Sequence, residues 1–355
     1  MNTNAKLTIG MDLGDEITEV CAVDELSEIA WRKTLDSTPK AMCAFFSRFE
    51  KPAAIVVAME AGTHSPWLSD LLIDLGFGVV VGNSRELRAI WGSNNKTDRH
   101  DAAKLARLAR SDRKLLKPIQ HRDHQSRLDL LLLKARDGLV KSRANLTNQV
   151  RGLVKSFGEK VPDCSVEAFP KVARAGLSRA LKSKLGGLIS AQEHLSRQIK
   201  AYDKKIAKLS SSKKYAEPTQ KIRQIKGVGP ITALAFVLTL GDPRRFAKSR
   251  DVGPYFGLVP KHDKSGQSDK QLSITKAGSS GMRRLLVTSA NYVMGPFGED
   301  CELRRHGERI AARGGKITRR KAKIAVARKL AVVMHQLLVS DAPYNPFHNT
   351  RGKAI

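Results

Sequence analysis

The sequence predicts an α/β module followed by a mainly-α body, and three observations carry that reading. The first 120 or so residues alternate short β-rich runs with amphipathic segments, and residues from about 121 to 214 show almost no strand signal. The charge also changes sign along the chain: residues 1–91 hold 8 Lys+Arg and 13 Asp+Glu, net −5, whereas residues 92–355 hold 55 and 21, net +34. A chain of 355 residues has room for two or three ordinary cores, so disorder is not its default state. A formal net charge of +29 sets it apart from a typical cytosolic enzyme, and the natural partner of so basic a body is a polyphosphate. The expected division is 1–120, 121–215, 216–345 and a short tail, 346–355.

In the first module "KLTIGMDLG", "ITEVCAVDE" and "EIAWRKTLD" read as three consecutive strands separated by acidic or Gly turns. An amphipathic "TPKAMCAFFSRFE" follows, then a strand "AAIVVAMEAG", a helix "SPWLSDLLIDLG" ending on Gly76, and a strand "FGVVVGNS". A meander that then alternates with helices predicts a mixed sheet covered by helices. In "NNKTDRHDAAKLARLAR" a helical pattern runs from Asp101 onward, and Asp98 and Asp101, three apart, project from nearly one face.

Capping a helix and meeting its dipole needs only one acidic residue. Asp12 follows the apolar run of the first strand, and Glu60 ends "AAIVVAME", a run apolar without alternation and so central in its sheet. A carboxylate there is costly to desolvate unless it is paired or bound to metal. Asp12, Glu60, Asp98 and Asp101 are therefore candidates to converge. Gathered carboxylates repel unless divalent cations bridge them, and hard oxygen ligands select Mg²⁺ or Mn²⁺. His64, Ser65 and Trp67 of "GTHSPW" are neighbours of that site with packing and turn roles.

The middle segment "QSRLDLLLLKARDGLVKSRANLTNQVRGLVKSFG" keeps apolar residues at three- and four-residue spacing, and "ISAQEHLSRQIKAYDKKIAKLS" repeats the pattern. A helical hairpin, broken at "GEKVPDCSVEAFPKVARAG", is expected to serve as spacer or dimerisation arm. Lys141, Arg143, Arg151 and Lys155 are placed to meet nucleic acid along its solvent face.

Beyond it, Lys226, Gly227 and Gly229 of "IKGVGP" precede an apolar helix. The pattern resembles a helix-hairpin-helix element, whose glycines let backbone N–H groups approach a phosphate. "YFGLVPKHDKSGQSDKQLSITKAGSSGMRRLL" then offers a polar loop with Lys264 and Ser265, a helix entry at Ser279 or Ser280 suited to capping, and Arg283 and Arg284 on the first turn. Ser268, Ser273, Ser279 and Ser280 are competing serines, of which Ser279 or Ser280 reads better as a cap whose backbone amides hold a phosphate. The last helix, "KITRRKAKIAVARKLAVVMHQLL", carries Arg319 and Arg320 in a basic cluster.

The order Asp, Glu, Asp, Asp in "IGMDLG", "MEAGTHSPW" and "NKTDRHDAAKLARL" resembles the RuvC-like branch of the ribonuclease H superfamily. More narrowly, it is similar to the DEDD transposases of the IS-one-ten insertion-sequence family, relatives of Piv-type DNA invertases. "YFGLVP…ITKAGSSG" resembles the serine transposase domain that closes that family, with Ser265 matching its nucleophile. The family pattern often shows a second serine or a glycine pair around the nucleophile, where this chain has "KSGQSDK".

The resemblance covers nearly the whole chain in order. It implies a RuvC-like mixed sheet, a coiled-coil arm and a mostly helical transposase domain. It also implies catalysis by Asp12, Glu60, Asp98, Asp101 and Ser265, with Mg²⁺ or Mn²⁺ held by the four acids. The implied partners are donor and target DNA, a noncoding bridge RNA, and further copies of the chain as a dimer or tetramer. Two other classes stay open: a RuvC-like structure-selective nuclease or Holliday-junction resolvase in which water attacks, and a non-catalytic nucleic-acid-binding protein.

Cys21, Cys43, Cys164 and Cys301 lack the paired spacing of a zinc site or disulfide framework, and no apolar run approaches a membrane span. A soluble protein of the bacterial cytosol, associated with the nucleoid, is expected, with no membrane partner.

Overall fold

The computed structural model describes residues 7–87, 98–265 and 268–347, the side chains of 262–271 excepted. The chain divides into two compact units, Met1–Arg122 and Asp123–Ile355.

The first unit opens with three antiparallel strands, β1 (Thr8–Leu13), β2 (Ile17–Val23) and β3 (Ile29–Asp36), followed by α1 (Pro39–Phe46). Next come β4 (Val56–Glu60), α2 (Ser65–Asp74), β5 (Gly78–Gly82), α3 (Ser84–Leu87) and α4 (Asp98–Ser111). The sheet order is β3-β2-β1-β4-β5, with β1, β4 and β5 parallel. This is the mixed sheet that a meander followed by strand–helix alternation predicts.

Because successive side chains point to opposite faces of a strand, the two layers of helix receive different residues. Ile9, Met11, Val57 and Met59 are buried with Phe45 and Phe46 of α1 and Leu68 and Leu72 of α2. The residues between them face the other way. Cys21, Gly10, Ala58 and Val80 stand side by side in register across four strands. Helix α4 covers that row, with Ala102 and Ala103 against Cys21 and Leu105 and Ala109 against Ala58 and Val80.

Gly10 permits this closeness. A Cβ there would overlap the Ala102 carbonyl oxygen and lie 2.5 Å from the Ala106 amide nitrogen.

In the second unit α5 (His124–Leu153) and α7 (Arg179–Ser210) pack side by side, joined through α6 (Phe169–Gly176). Their pairings run in opposite directions, Arg136 with Asp203, Arg143 with Ser196 and Thr147 with Gln192, which makes the hairpin antiparallel. Val150 and Val154 close its far end against Phe169, Leu181, Leu185 and Ile189.

At the near end Leu133 and Ile206 enter a core shared with the helices that follow. These are α8 (Ala216–Arg223), α9 (Pro230–Leu240), α10 (Val252–Tyr255), α11 (Ser280–Val293), α12 (Glu302–Ala311) and α13 (Lys316–Val339). A common core explains why the hairpin and the C-terminal helices form one unit, with the division at 122/123 and none near 215.

One element differs from expectation. The polar stretch read as a loop forms an antiparallel pair, β6 (Pro260–Ser265) and β7 (Ser268–Ile274), with Ser265 paired to Ser268. Its residues are too polar to show a strand pattern. Among the described residues, no helix is long and apolar enough to cross a membrane.

Candidate active site

Two residues beyond the small row that α4 covers, the same face of the sheet becomes acidic. Asp12 follows Gly10 by two on β1, Glu19 is its register partner on β2, and Glu60 follows Ala58 by two on β4, opposite Gly82 of β5. Period-two alternation therefore turns Glu19, Asp12 and Glu60 toward the side of the sheet that α4 covers.

Helix α4 begins at Asp98, so both Asp98 and Asp101 lie in its first turn. That turn reaches the acidic row: Arg99 Nε is 3.7 Å from Glu19 Oε2, and Arg32 donates to the Arg99 carbonyl oxygen at 3.5 Å. The Asp101 side chain is 14% exposed and lies 3.7 Å from Lys104 Nζ, whereas Asp98 is exposed. The four acids singled out in the sequence thus belong to one unit, Asp12 and Glu60 on the sheet face that α4 covers and Asp98 and Asp101 in the first turn of α4. Among the described residues, no three acidic, His or Cys side chains close on a common point that could hold a metal ion.

Glu19 is the acid that sequence reading missed. Its signal is parity alone, since it stands two residues before the buried Cys21 in "TEVC". Thr34 Oγ1 donates to Glu19 Oε1 at 2.8 Å while Arg99 approaches the other oxygen. Glu19 thereby ties β3 and the first turn of α4 to β2.

The segment after Glu60 is braced from several sides. Buried Ser65 accepts from Gly62 N and donates to Gly62 O, both at 3.0 Å, and lies 3.0 Å from His121 Nε2. Ser84 donates to the Ala61 carbonyl oxygen. Trp67 Nε1 donates to His64 Nδ1 at 3.1 Å, and His64 Nε2 is 3.2 Å from Asp15 Oδ1. An indole N–H only donates, so Nδ1 accepts and the His64 proton sits on Nε2, facing Asp15.

The sequence agrees with this arrangement at family level. Residues 9–158 match the family model for the DEDD transposase of IS110, and residues 219–300 match the model described as transposase, IS116/IS110/IS902 family. The chain belongs to the IS110 family of transposases. It is thus an enzyme of the class that cuts DNA and transfers its strands.

The transposase is 27% identical over 296 residues to the transposase for insertion sequence element IS1111A of Coxiella burnetii, covering 81% of this chain and 77% of that protein. It is 28% identical over 358 residues to a probable family 20 transposase of Pseudomonas aeruginosa, covering 95% and 98%. Over 122 residues it is 29% identical to the pilin gene-inverting protein of Moraxella lacunata, 34% of this chain and 37% of that protein.

In the transposase's second unit the sequence-predicted contact residues have diverse surroundings. Lys226 is exposed and 3.5 Å from Glu299 Oε1. Gly227 has φ +91, and a Cβ there would press on the Tyr292 ring at 2.7 Å, so this glycine serves turn and packing together. Gly229 is the exposed N-cap of α9. Ser279 caps α11, accepting from Met282 N at 3.2 Å.

Arg283 donates to the carbonyl oxygens of Phe256, Ala277 and Gly278, and Arg284 pairs with Asp137. Both guanidinium groups therefore have partners inside the unit that the sequence does not advertise. Along the hairpin, Lys141, Arg143 and Arg151 likewise meet Asp137, Glu167 and Asp163. Arg319 and Arg320 are exposed on α13. Lys264 and Ser265 lie on β6, their side chains outside the described residues.

Proposed function

We propose that the transposase cuts and exchanges DNA strands with a RuvC-like carboxylate site in its first unit and Ser265 as nucleophile from its second. The observation that carries the reading is the juxtaposition of an acidic row on β1, β2 and β4 with two aspartates in the first turn of α4. Asp12, Glu60, Asp98 and Asp101 present only carboxylate oxygens, a donor set that fits Mg²⁺ or Mn²⁺ and not a thiolate-seeking metal. Such a cation supplies charge neutralisation at the scissile phosphate and polarises an attacking oxygen.

The protein's own residues do the rest. Glu19 and Arg99 fix the first turn of α4 over the sheet, and the braced 61–65 segment fixes Glu60. Ser265 Oγ bonds to phosphorus as a deoxyribose oxygen leaves, and the serine proton passes to a nearby base. The break is held as a phosphoserine linkage, so no energy cofactor is needed.

Family resemblance supports a bridge RNA pairing with donor and target DNA, and the +34 balance of residues 92–355 suits a surface that grips both. Assembly as a dimer or tetramer lets the serine of one copy serve the acids of another. The decisive experiment is to trap the protein on a nicked suicide DNA substrate in Mg²⁺. A covalent adduct mapped to Ser265 is expected. Cleavage with no adduct moves the reading to a water-using nuclease.

A further inference from the structure

Between α9 and α10 the chain reads "GDPRRFAKSRD", residues 241–251, with Arg244, Arg245, Lys248 and Arg250 all exposed. The two carboxylates of this segment turn to its own backbone. Asp242 Oδ1 accepts from Arg244 N at 2.9 Å, and Asp251 Oδ2 accepts from Lys248 N at 3.2 Å. Short 3₁₀ turns at Pro243–Arg245 and Ser249–Asp251 leave the cations projecting outward.

The loop stands on a buried histidine. His335 of α13 is 1% exposed, with Nε2 2.9 Å from the Pro243 carbonyl oxygen and Nδ1 2.9 Å from Ser249 Oγ. A carbonyl oxygen only accepts, so Nε2 carries a proton and donates it. One imidazole thus fastens both ends of the loop to the long helix, and Phe246 packs edge-on against it at 5.6 Å.

Above this floor the Arg245 guanidinium lies over two rings, 4.6 Å from the Phe246 centroid and 4.7 Å from that of Tyr255. The Tyr255 hydroxyl donates to the Thr239 carbonyl oxygen at 3.0 Å, which fixes the second ring. A merely solvated turn needs none of this support. A held loop whose Arg245 is already packed loses less side-chain freedom when it meets a ligand. Guanidinium forks match the oxygens of a phosphodiester, and four cations within seven residues suit a run of phosphates better than a single anion.

We propose that residues 244–250 form a preset grip on the phosphate backbone of nucleic acid, independent of base sequence. The inference rests on the reading of this chain as a DNA-processing transposase, and it names where the backbone is held.

The test uses the full-length protein with two probes, random-sequence duplex DNA and a structured RNA hairpin, titrated over a range of salt. Duplex affinity falls with a slope of about 0.9 per phosphate contact, so Arg244→Gln/Lys248→Gln/Arg250→Gln is expected to flatten the slope by about 2 to 3. Arg245→Lys keeps the charge but loses the stacked plane, so its affinity falls while its slope stays. Flattening with DNA alone, RNA alone or both identifies the strand that is gripped, and each supports the proposal.

An unchanged slope with both probes, in a triple variant that melts like the wild type, overturns it. If the triple variant misfolds, Lys248→Gln and Arg250→Gln singly are each expected to remove about 1 from the slope, and no change in either also overturns it. Wild-type strand exchange is scored separately. Exchange with no slope change in the variants removes only the grip, whereas a slope change without wild-type exchange removes only the transposase mechanism.

Discussion

Gly10 of β1 lies directly beneath Ala102 of α4, so close that a Cβ on residue 10 would overlap the Ala102 carbonyl oxygen. That contact joins the strand bearing Asp12 to the helix bearing Asp98 and Asp101, and backbone atoms cannot rotate out of the way as a side-chain tip can. Gly10→Ala must therefore lift or tilt α4. The expected cost is about 3 kcal/mol of stability, the upper part of the overpacking range. Strand cleavage is expected to fall further than the melting temperature alone explains, because the acids on the two elements separate. Wild-type cleavage by a folded Gly10→Ala protein would show that the spacing between β1 and α4 is irrelevant to the chemistry.

Removing one of several neighbouring carboxylates relieves repulsion in the absence of cations. Asp12→Ala, Glu60→Ala, Asp98→Ala and Asp101→Ala are each expected to abolish recombination, while stability in metal-free buffer holds or rises. Added Mg²⁺ or Mn²⁺ is expected to raise the melting temperature of the wild type, since a ligand that binds the folded state stabilises it, and to raise that of the variants less. Two active variants, or metal-independent melting of the wild type, would count against the assignment. Glu19→Gln is expected to weaken activity without abolishing it, because its role is to hold the first turn of α4.

The mixed sheet and the helical hairpin were legible because their signals are local: period-two runs, three- and four-residue spacing, and Gly or acidic turns. Asp12, Glu60, Asp98 and Asp101 were singled out by their order and context, and β1, β4 and the first turn of α4 carry them. What stayed hidden depends on register and tertiary packing. Glu19 became visible only once β2 was paired residue by residue with β1. The carbonyls that claim Arg283 come from segments brought together by folding, up to 27 residues away, and Asp137, the partner of Arg284, sits on another helix. The β6–β7 hairpin carries too few apolar residues for any periodicity to mark it. His335 reads as one more residue on an amphipathic helix, yet it fastens a loop some 90 residues earlier.

His306 of α12 gives a pH dependence whose sign is fixed. Burial holds its pKa below the ordinary 6.5, helped by the charges of Lys329 on α13 and Arg309 on its own helix and opposed by Glu302. The folded state binds that proton less readily than the unfolded chain. Its contribution is therefore present above the ordinary value and is lost as pH falls below it. Thermal melts of the wild type are expected to drop between neutral pH and about pH 5, and His306→Asn to drop less over that window. Equal acid sensitivity of the two proteins would assign the effect to other groups.

Ser265 and the acidic row belong to different units of the chain, and more than 160 residues separate Asp101 from Ser265 in sequence. If the serine is the nucleophile, Ser265→Ala is expected to eliminate covalent attachment to DNA while leaving DNA and RNA affinity within about twofold, because one hydroxyl contributes little beside a counterion-driven interface. Asp101→Ala is expected to bind equally well and to form no adduct. Mixing the two inactive proteins then tests assembly: partial recovery of strand exchange is expected if the serine of one copy works over the acids of another. Absence of recovery, with each protein still oligomeric, would place both groups of a working site in one chain. Undiminished strand exchange by Ser265→Ala would exclude the serine altogether, leaving Ser268, Ser273 or water to attack the phosphorus at the same carboxylate site.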